Sequence, residues 1–172
     1  MIFIRAAALE DAASIAHVHV ESWRTTYAGI VPKEYLAGLS EAERTPLWRE
    51  WLVRVIEVFV ADDAGRICGF IGGGAIREPV QGCDAELFAI YLLEDAQRRG
   101  TGTALLRALA HSLMSKGYES MAAWVLEKNP SRHFYVKSGA LMDRSMEIEI
   151  GGTKLVEVAY WWPALSAIGT PA

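Results

Sequence analysis

Apolar and polar residues alternate weakly over residues 1–5, which predicts a first strand. Leu9, Ala12, Ala13, Ala16, Val20, Trp23 and Tyr27 then recur at steps of three and four, the mark of one buried helix face. Gly29 and Pro32 interrupt that stripe. A second helical region ends near Trp51, and two signals compete for its start: Ser40 with Glu43 as a capping box, and Thr45-Pro46 as an N-cap and first-turn pair. Residues 55–60 and 66–71 are β-rich runs, and Asp62-Asp63-Ala64-Gly65 between them predicts a hairpin. Residues 84–93 read as the next strand.

From Gly100 onward, Leu105, Leu106, Leu109, Leu113 and Met114 form a second helical stripe, closed by the cation and glycine of Lys116-Gly117. Residues 120–126 predict a strand, and Asn129-Pro130 the N-cap and first position of a short helix to Ser138. Residues 146–150 alternate around Glu147 and Glu149, Gly151-Gly152 turns the chain, and residues 155–162 form a last strand. The small and polar end, residues 163–172, reads as a frayed tail. With neither repeat nor linker, the pattern predicts one α/β domain over residues 1–162.

Composition narrows the classes. A chain of 172 residues is one domain long and can bury about 70% of its extended surface. Hydrophobic residues at 52% and charged residues at 22% exclude a disordered chain. Seventeen basic against twenty-one acidic residues give a net charge of −4, the wrong sign for a chain that must neutralise nucleic-acid phosphates. No stretch approaches the roughly 18 apolar residues of a membrane span, and the start lacks a signal-peptide cleavage pattern, so a soluble, cytoplasmic protein is expected. Cys68 and Cys83, without a CxxC or a nearby His, are expected as packed, reduced thiols. His17 and His19 fall on different helix faces, and no metal site is expected.

Chemistry concentrates in residues 86–106. A strand enters a loop with Gly100 and Gly102 two residues apart, then a helix whose first amides have no internal partner and favour an anion. The glycines let a phosphate approach closely, and Arg98 and Arg99 add cationic donors. The same loop also fits an ordinary strand-to-helix turn. A dinucleotide fingerprint fails because its third glycine falls on Leu105, and a P-loop fails for want of Gly-Lys-Ser/Thr. Gly72-Gly73-Gly74 precedes no helix and reads as a turn or bulge.

Gln97-x-x-Gly100-x-Gly102, following the Ile90-Tyr91-Leu92 strand, resembles the acetyl-CoA signature of the GCN5-related N-acetyltransferase (GNAT) superfamily. Residues 129–140, with Asn129, Tyr135 and Gly139, resemble its second block, and the order of elements is similar across nearly the whole chain. Glu94 stands where many relatives have proline. The resemblance implies an α/β (α+β) fold with a mixed, mostly antiparallel sheet of about six to seven strands and about four helices.

It further implies that the backbones of Ile90, Tyr91 and Leu92 pair with the pantetheine arm of acetyl-CoA. Gln97, Arg98, Arg99, Gly100, Thr101, Gly102 and Thr103 would cradle the pyrophosphate. Asn129 would reach the pantetheine, cap its helix, or do both. Tyr135 matches the acid that protonates the departing thiolate, a role a phenol can fill at neutral pH; packing alone is its other reading. Glu86 is the candidate base, placed on one strand face with Phe88, Ile90 and Leu92, where burial without a partner would raise its pKa. A structural Glu86, bonded to backbone or to an arginine, fits as well, and Asp84 is a weaker competitor. Trp23 and Tyr27, with Arg24 and the two histidines, are candidates for the acceptor pocket, although Trp23 and Tyr27 also suit core positions. The expected activity is acetyl transfer from acetyl-CoA to a primary amine of a small or amino-acid-like acceptor in a ternary complex. Alternatives are a protein N-acetyltransferase and a non-catalytic acyl-CoA-binding module. The aromatic C-terminal hairpin leaves room for a homodimer.

Overall fold

The computed structural model describes residues 1–54 and 56–168. Val55, first in the expected second strand, and residues 169–172 of the expected tail lie outside the described residues.

Seven strands form one sheet in the order β1 (Ile2–Ala6), β2 (Glu57–Asp63), β3 (Arg66–Ala75), β4 (Ala85–Leu92), β5 (Met121–Leu126), β7 (Thr153–Trp162) and β6 (Leu141–Ile150). All neighbours run antiparallel except β4 and β5. A parallel pair needs a crossover, and α4 (Thr101–Ser115) supplies it. Its stripe, Leu105, Leu106, Leu109 and Leu113, is fully buried and packs in one cluster with Ala85 and Leu87 of β4 and Met121, Ala123 and Val125 of β5. Each such leucine contributes about 1.5–3 kcal/mol of burial. The opposite face of the sheet carries α1 (Ala12–Thr26) and α3 (Glu41–Val53), whose Ile15, Ala16, Val18 and Trp48 meet Val58, Val60 and Phe70. With α2 (Lys33–Ala37) and α5 (Arg132–Lys137), this is the mixed, mostly antiparallel fold that the resemblance implies.

The competing starts of α3 resolve to Ser40, whose Oγ accepts from Glu43 N–H at 3.3 Å, so Thr45-Pro46 lies inside the helix. β6 begins at Leu141, five residues before its alternation becomes visible, because most of its first seven residues are exposed at the sheet edge and carry no burial pattern. The expectation of a frayed end from residue 163 does not hold through Ile168. Leu165 is 1% exposed in the α4 cluster, and its N–H donates to Glu119 O at 2.8 Å. Cys68 and Cys83 are both buried and unpaired with each other. Among the described residues, no helix is long and apolar enough to cross a membrane.

The register of β3 against β4 sets which side chains of β4 face which layer. Gly72 pairs with Ala89 and Gly73 with Leu87, which leaves Phe88 without a partner: the bulge near the glycine run belongs to β4. Gly73 is required by close approach, since a Cβ there would stand 2.7 Å from Glu86 O and 2.9 Å from Leu109 Cδ2. One extra residue flips the alternation. Ala85, Leu87, Ile90 and Leu92 turn toward α4, while Ala89 and Tyr91 turn toward α1. Glu86 therefore shares a face with Ala89 and Tyr91, and not with Ile90 and Leu92 as strict alternation from the sequence suggests.

Candidate active site

β4 and β5 pair only where Ala85, Glu86 and Leu87 meet Met121, Ala122 and Ala123; beyond that the two strands part. A cavity of about 380 Å³ fills the opening. Ile90, Tyr91 and Leu92 form one wall, Gln97, Arg98, Gly100, Gly102 and Thr103 its α4 end, and Asn129 and Tyr135 the β5 side, with Tyr27 at the edge of α1. Of the expected cofactor residues, Arg99 is exposed and Thr101 is buried within the first helical turn, and neither lines the cavity.

The backbone directions follow from the ladder. Leu93 N–H donates to Cys68 O at 2.9 Å, so Leu93, Tyr91 and Ala89 exchange bonds with β3, and the peptide groups of Ile90 and Leu92 face the opening. Tyr91, expected to offer its backbone, turns it to β3 instead. Leu92 O is already engaged: Gln97 Nε2 donates to it at 3.0 Å and Ser22 Oγ at 3.2 Å. Ser22 carries no signal in the sequence, yet it is 1% exposed and ties α1 to the end of β4. Gln97 acts here as a strand tether.

At the α4 end, Gly100 is the N-cap at φ 81°, a left-handed conformation that glycine takes freely, and Arg98 before it holds φ 58°. The first helical bond runs from Ala104 N–H to Gly100 O, so the amides of Thr101, Gly102 and Thr103 have no helical acceptor. Those amides and the helix dipole favour an anion.

Asn129 does two jobs: Oδ1 accepts from Ser131 N–H at 2.8 Å, and Nδ2 donates to Tyr27 Oη at 3.4 Å. Tyr27 Oη also meets Tyr91 Oη at 3.5 Å, and burial pushes the Tyr27 phenol up to about 12. Tyr135 is 7% exposed, stacked on Tyr160 with centroids 5.5 Å apart, and its hydroxyl bonds to no protein group among the described residues. Burial pushes this phenol well above its usual range, so it remains a proton donor at any physiological pH.

The acceptor candidates divide. Tyr27 lines the cavity, whereas Trp23 packs edge-on against it, centroids 4.8 Å apart, outside the cavity wall. Arg24 donates to Leu36 O and Leu39 O and so fastens α2. His17 pairs with Glu41 at the surface. His19 is buried, stacked on Tyr91 at 5.3 Å, and accepts at Nδ1 from Trp48 Nε1. Burial, with Arg44 nearby, lowers its pKa to about 3, so the ring is neutral.

Glu86 is 2% exposed and does not lie in the main cavity. It is also not unpartnered: Arg77 donates to it from its backbone N–H at 3.0 Å, Nε at 3.2 Å and Nη2 at 2.5 Å. Asp84 accepts from Glu119 N–H, Ser120 N–H and Ser120 Oγ, which fixes the entry to β5 and leaves it no catalytic freedom. A second cleft opens beside Glu86, lined also by Arg77, Phe88, Trp124 and Glu157; Phe88 and Trp124 are shared with the main cavity. In the sequence Glu157 reads only as part of a strand, because nothing local marks a lone glutamate among apolar residues.

Residues 18–140 match the model of the Acetyltransferase (GNAT) family. The chain is 45% identical over 171 residues to the uncharacterized N-acetyltransferase YuaI of Bacillus subtilis, covering 99% of this chain and 98% of that one. Among solved structures, it is similar to the PaiA N-acetyltransferase of Thermoplasma acidophilum in complex with coenzyme A, with TM-score 0.74, 25% identity, and 92% and 98% of the two chains covered. The fold is also that of a phosphinothricin acetyltransferase of Sinorhizobium meliloti in complex with acetyl-CoA, with TM-score 0.72, 23% identity, and 95% and 88% covered. The parted strands, the glycine-capped helix and these likenesses agree: the chain belongs to the acetyltransferase (GNAT) family and is an N-acetyltransferase.

Proposed function

We propose that acetyl-CoA lies in the cavity between β4 and β5 and that its acetyl group passes directly to the primary amine of a small, amino-acid-like acceptor. The observation that carries this reading is convergence. The free amides of Gly102 and Thr103, the backbone of Ile90 with the N–H of Leu92, and the unengaged Tyr135 hydroxyl belong to one cavity. The amides suit a pyrophosphate, the strand edge suits the two amides of a pantetheine arm, and the phenol suits a thioester sulfur. PaiA, similar over nearly its whole length, holds coenzyme A in its own structure.

Chemically, the neutral amine attacks the thioester carbonyl carbon, the tetrahedral intermediate collapses, the C–S bond breaks, and Tyr135 gives its proton to the leaving sulfur. A small acceptor is supported by what covers this face. A Cβ on Gly151, in the β6–β7 turn, would stand 2.9 Å from Tyr35 Cβ of α2, so hairpin and helix pack together on the side that carries Tyr27.

The test is CoA release over a panel of primary amines, amino acids and amino-acid amides, comparing the protein with Tyr135→Phe. At least one small amine is expected to turn over, with kcat reduced about 10²–10⁴-fold in the variant and the acetyl-CoA KM little changed. Turnover only with peptide or protein amines would overturn the acceptor reading, and an unchanged kcat would remove Tyr135 from the acid's role.

A further inference from the structure

We propose that Glu157 is the catalytic carboxylate that receives the acceptor's ammonium and takes its proton, with Glu86 held beside it as a fixed charge. This role rests on the small-amine reading of the acceptor. Its basis is the contrast between two glutamates in one cleft. Glu86 carries three hydrogen bonds from Arg77, whose guanidinium also lies 4.2 Å over the Phe88 ring. A carboxylate so engaged has little freedom to accept a proton without breaking its clamp. Glu157 is half-buried, and no hydrogen bond or ion pair holds its carboxylate among the described residues.

Placement agrees. Glu157 stands opposite Leu126 of β5 and Met146 of β6, on the face that also carries Trp124. Because Phe88 and Trp124 line both the cleft and the main cavity, an amine between Glu157 and the Trp124 ring is aimed at the opening where the thioester would sit. An aromatic face beside a carboxylate is a setting for an ammonium group. The charged and titratable groups around Glu157 are Glu86 from β4, Arg77 and Glu78 from the β3–β4 loop, and Tyr27 from the end of α1; β5 and β6 present Trp124, Leu126 and Met146, and the Arg144 guanidinium of β6 lies 5.4 Å over the Trp124 ring. Burial and the Glu86 charge push the Glu157 carboxyl up, and Arg77 offsets part of this.

The step balances. The ammonium gives one proton to a Glu157 oxygen, and the nitrogen lone pair forms the C–N bond as the carbonyl opens. The C–S bond then breaks, and sulfur takes the Tyr135 proton. The nitrogen's second proton, lost as the amide forms, restores the phenol, and Glu157 releases its own to water. An alkylammonium has a pKa of about 10.4, so at pH 7 only about one acceptor in 10³ arrives neutral; a nearby carboxylate with a raised pKa removes that handicap.

The experiment has two arms on the full chain. In the first, kcat/KM against pH is measured for the protein, Glu157→Gln and Glu86→Gln with the best amine of the panel. Glu157→Gln is expected to lose about 10²–10⁴-fold at pH 7, with the loss shrinking as pH approaches the amine pKa and the acetyl-CoA KM unchanged. An unaltered profile in Glu157→Gln, or loss of the acidic limb only in Glu86→Gln, would overturn the assignment. The second arm needs no acceptor: the glutamate side-chain carboxyls are followed by ¹³C NMR titration in the acetyl-CoA complex. Glu157 is expected to titrate above the ordinary glutamate range and to move down in Glu86→Gln; ordinary titration would overturn the proposal. If no amine turns over while Glu157 titrates as expected, the small-amine reading fails and the Glu157 environment stands.

Discussion

Arg77 grips Glu86 through its backbone N–H, its Nε and its Nη2, and this clamp decides which carboxylate of the cleft is free. The Glu86 side chain is 3% exposed and the Arg77 side chain 64%, so the pair is half solvent-facing. Arg77→Met leaves a buried carboxylate with only the backbone donor, and a buried charged acceptor that loses partners costs about 1–3 kcal/mol. Urea unfolding at pH 7 checks this, and Arg77→Met with Glu86→Gln is expected to recover most of the loss because no charge remains uncompensated. Equal midpoints for Arg77→Met and the unaltered protein would show that the clamp does not hold the site.

Gly102 is needed for space. Its own φ is not left-handed, yet a Cβ there would meet Phe134 Cε2 at 3.3 Å and Leu92 Cδ1 at 3.6 Å, at the wall of the cavity. Gly102→Val puts two further methyls where the cofactor's phosphates would approach. Calorimetry is expected to show acetyl-CoA affinity reduced tenfold or more, while unfolding stability changes by no more than about 1 kcal/mol, since replacing glycine in a helix offsets part of the crowding. Undiminished affinity would move the phosphates away from α4.

His19 makes stability pH-dependent. Its folded pKa is about 3 against an ordinary value of 6.5, so between those values the unfolded chain binds a proton that the native state refuses. The stabilisation is complete above about pH 6.5 and declines by at most about 1.4 kcal/mol per pH unit as pH falls toward 3. His19→Gln is expected to flatten that slope in unfolding measurements between pH 6.5 and 4.5. A slope identical to that of the unaltered protein would assign the dependence to other groups.

The sequence is most legible where structure is local. The leucines of the α4 stripe and the Gly100 turn follow from neighbouring residues and stand where the pattern puts them, whereas Met114 is exposed. The short helix starts at Arg132 with Ser131 as its N-cap, so Asn129 and Pro130 precede it, and Asn129 Oδ1 holds the Ser131 N–H in the turn before it. Strict alternation misplaces Glu86 because its orientation depends on a bulge at Phe88, and that bulge exists only in the register with β3, whose partners lie about fifteen residues away. Glu157 is silent for a related reason: its cleft joins β4, β5, β6 and β7, and no spacing within one strand reports that meeting. Ser22 and Leu165 are single residues whose burial is decided by distant partners, Leu92 O and the α4 cluster. Edge exposure hides the start of β6, and the five residues of α2 with one buried leucine are too few for a periodic signal.

The acetyl-CoA site is tested most directly by thermal unfolding of the protein with and without acetyl-CoA, with NADH and ATP as controls and Gly102→Val alongside. At about 100 times Kd, acetyl-CoA is expected to add about 2.7 kcal/mol and to raise Tm by several degrees, far more than either control, and to do so much less in the variant. No shift, or an equal shift with all three ligands, would mean that the opening between β4 and β5 is not an acetyl-CoA site.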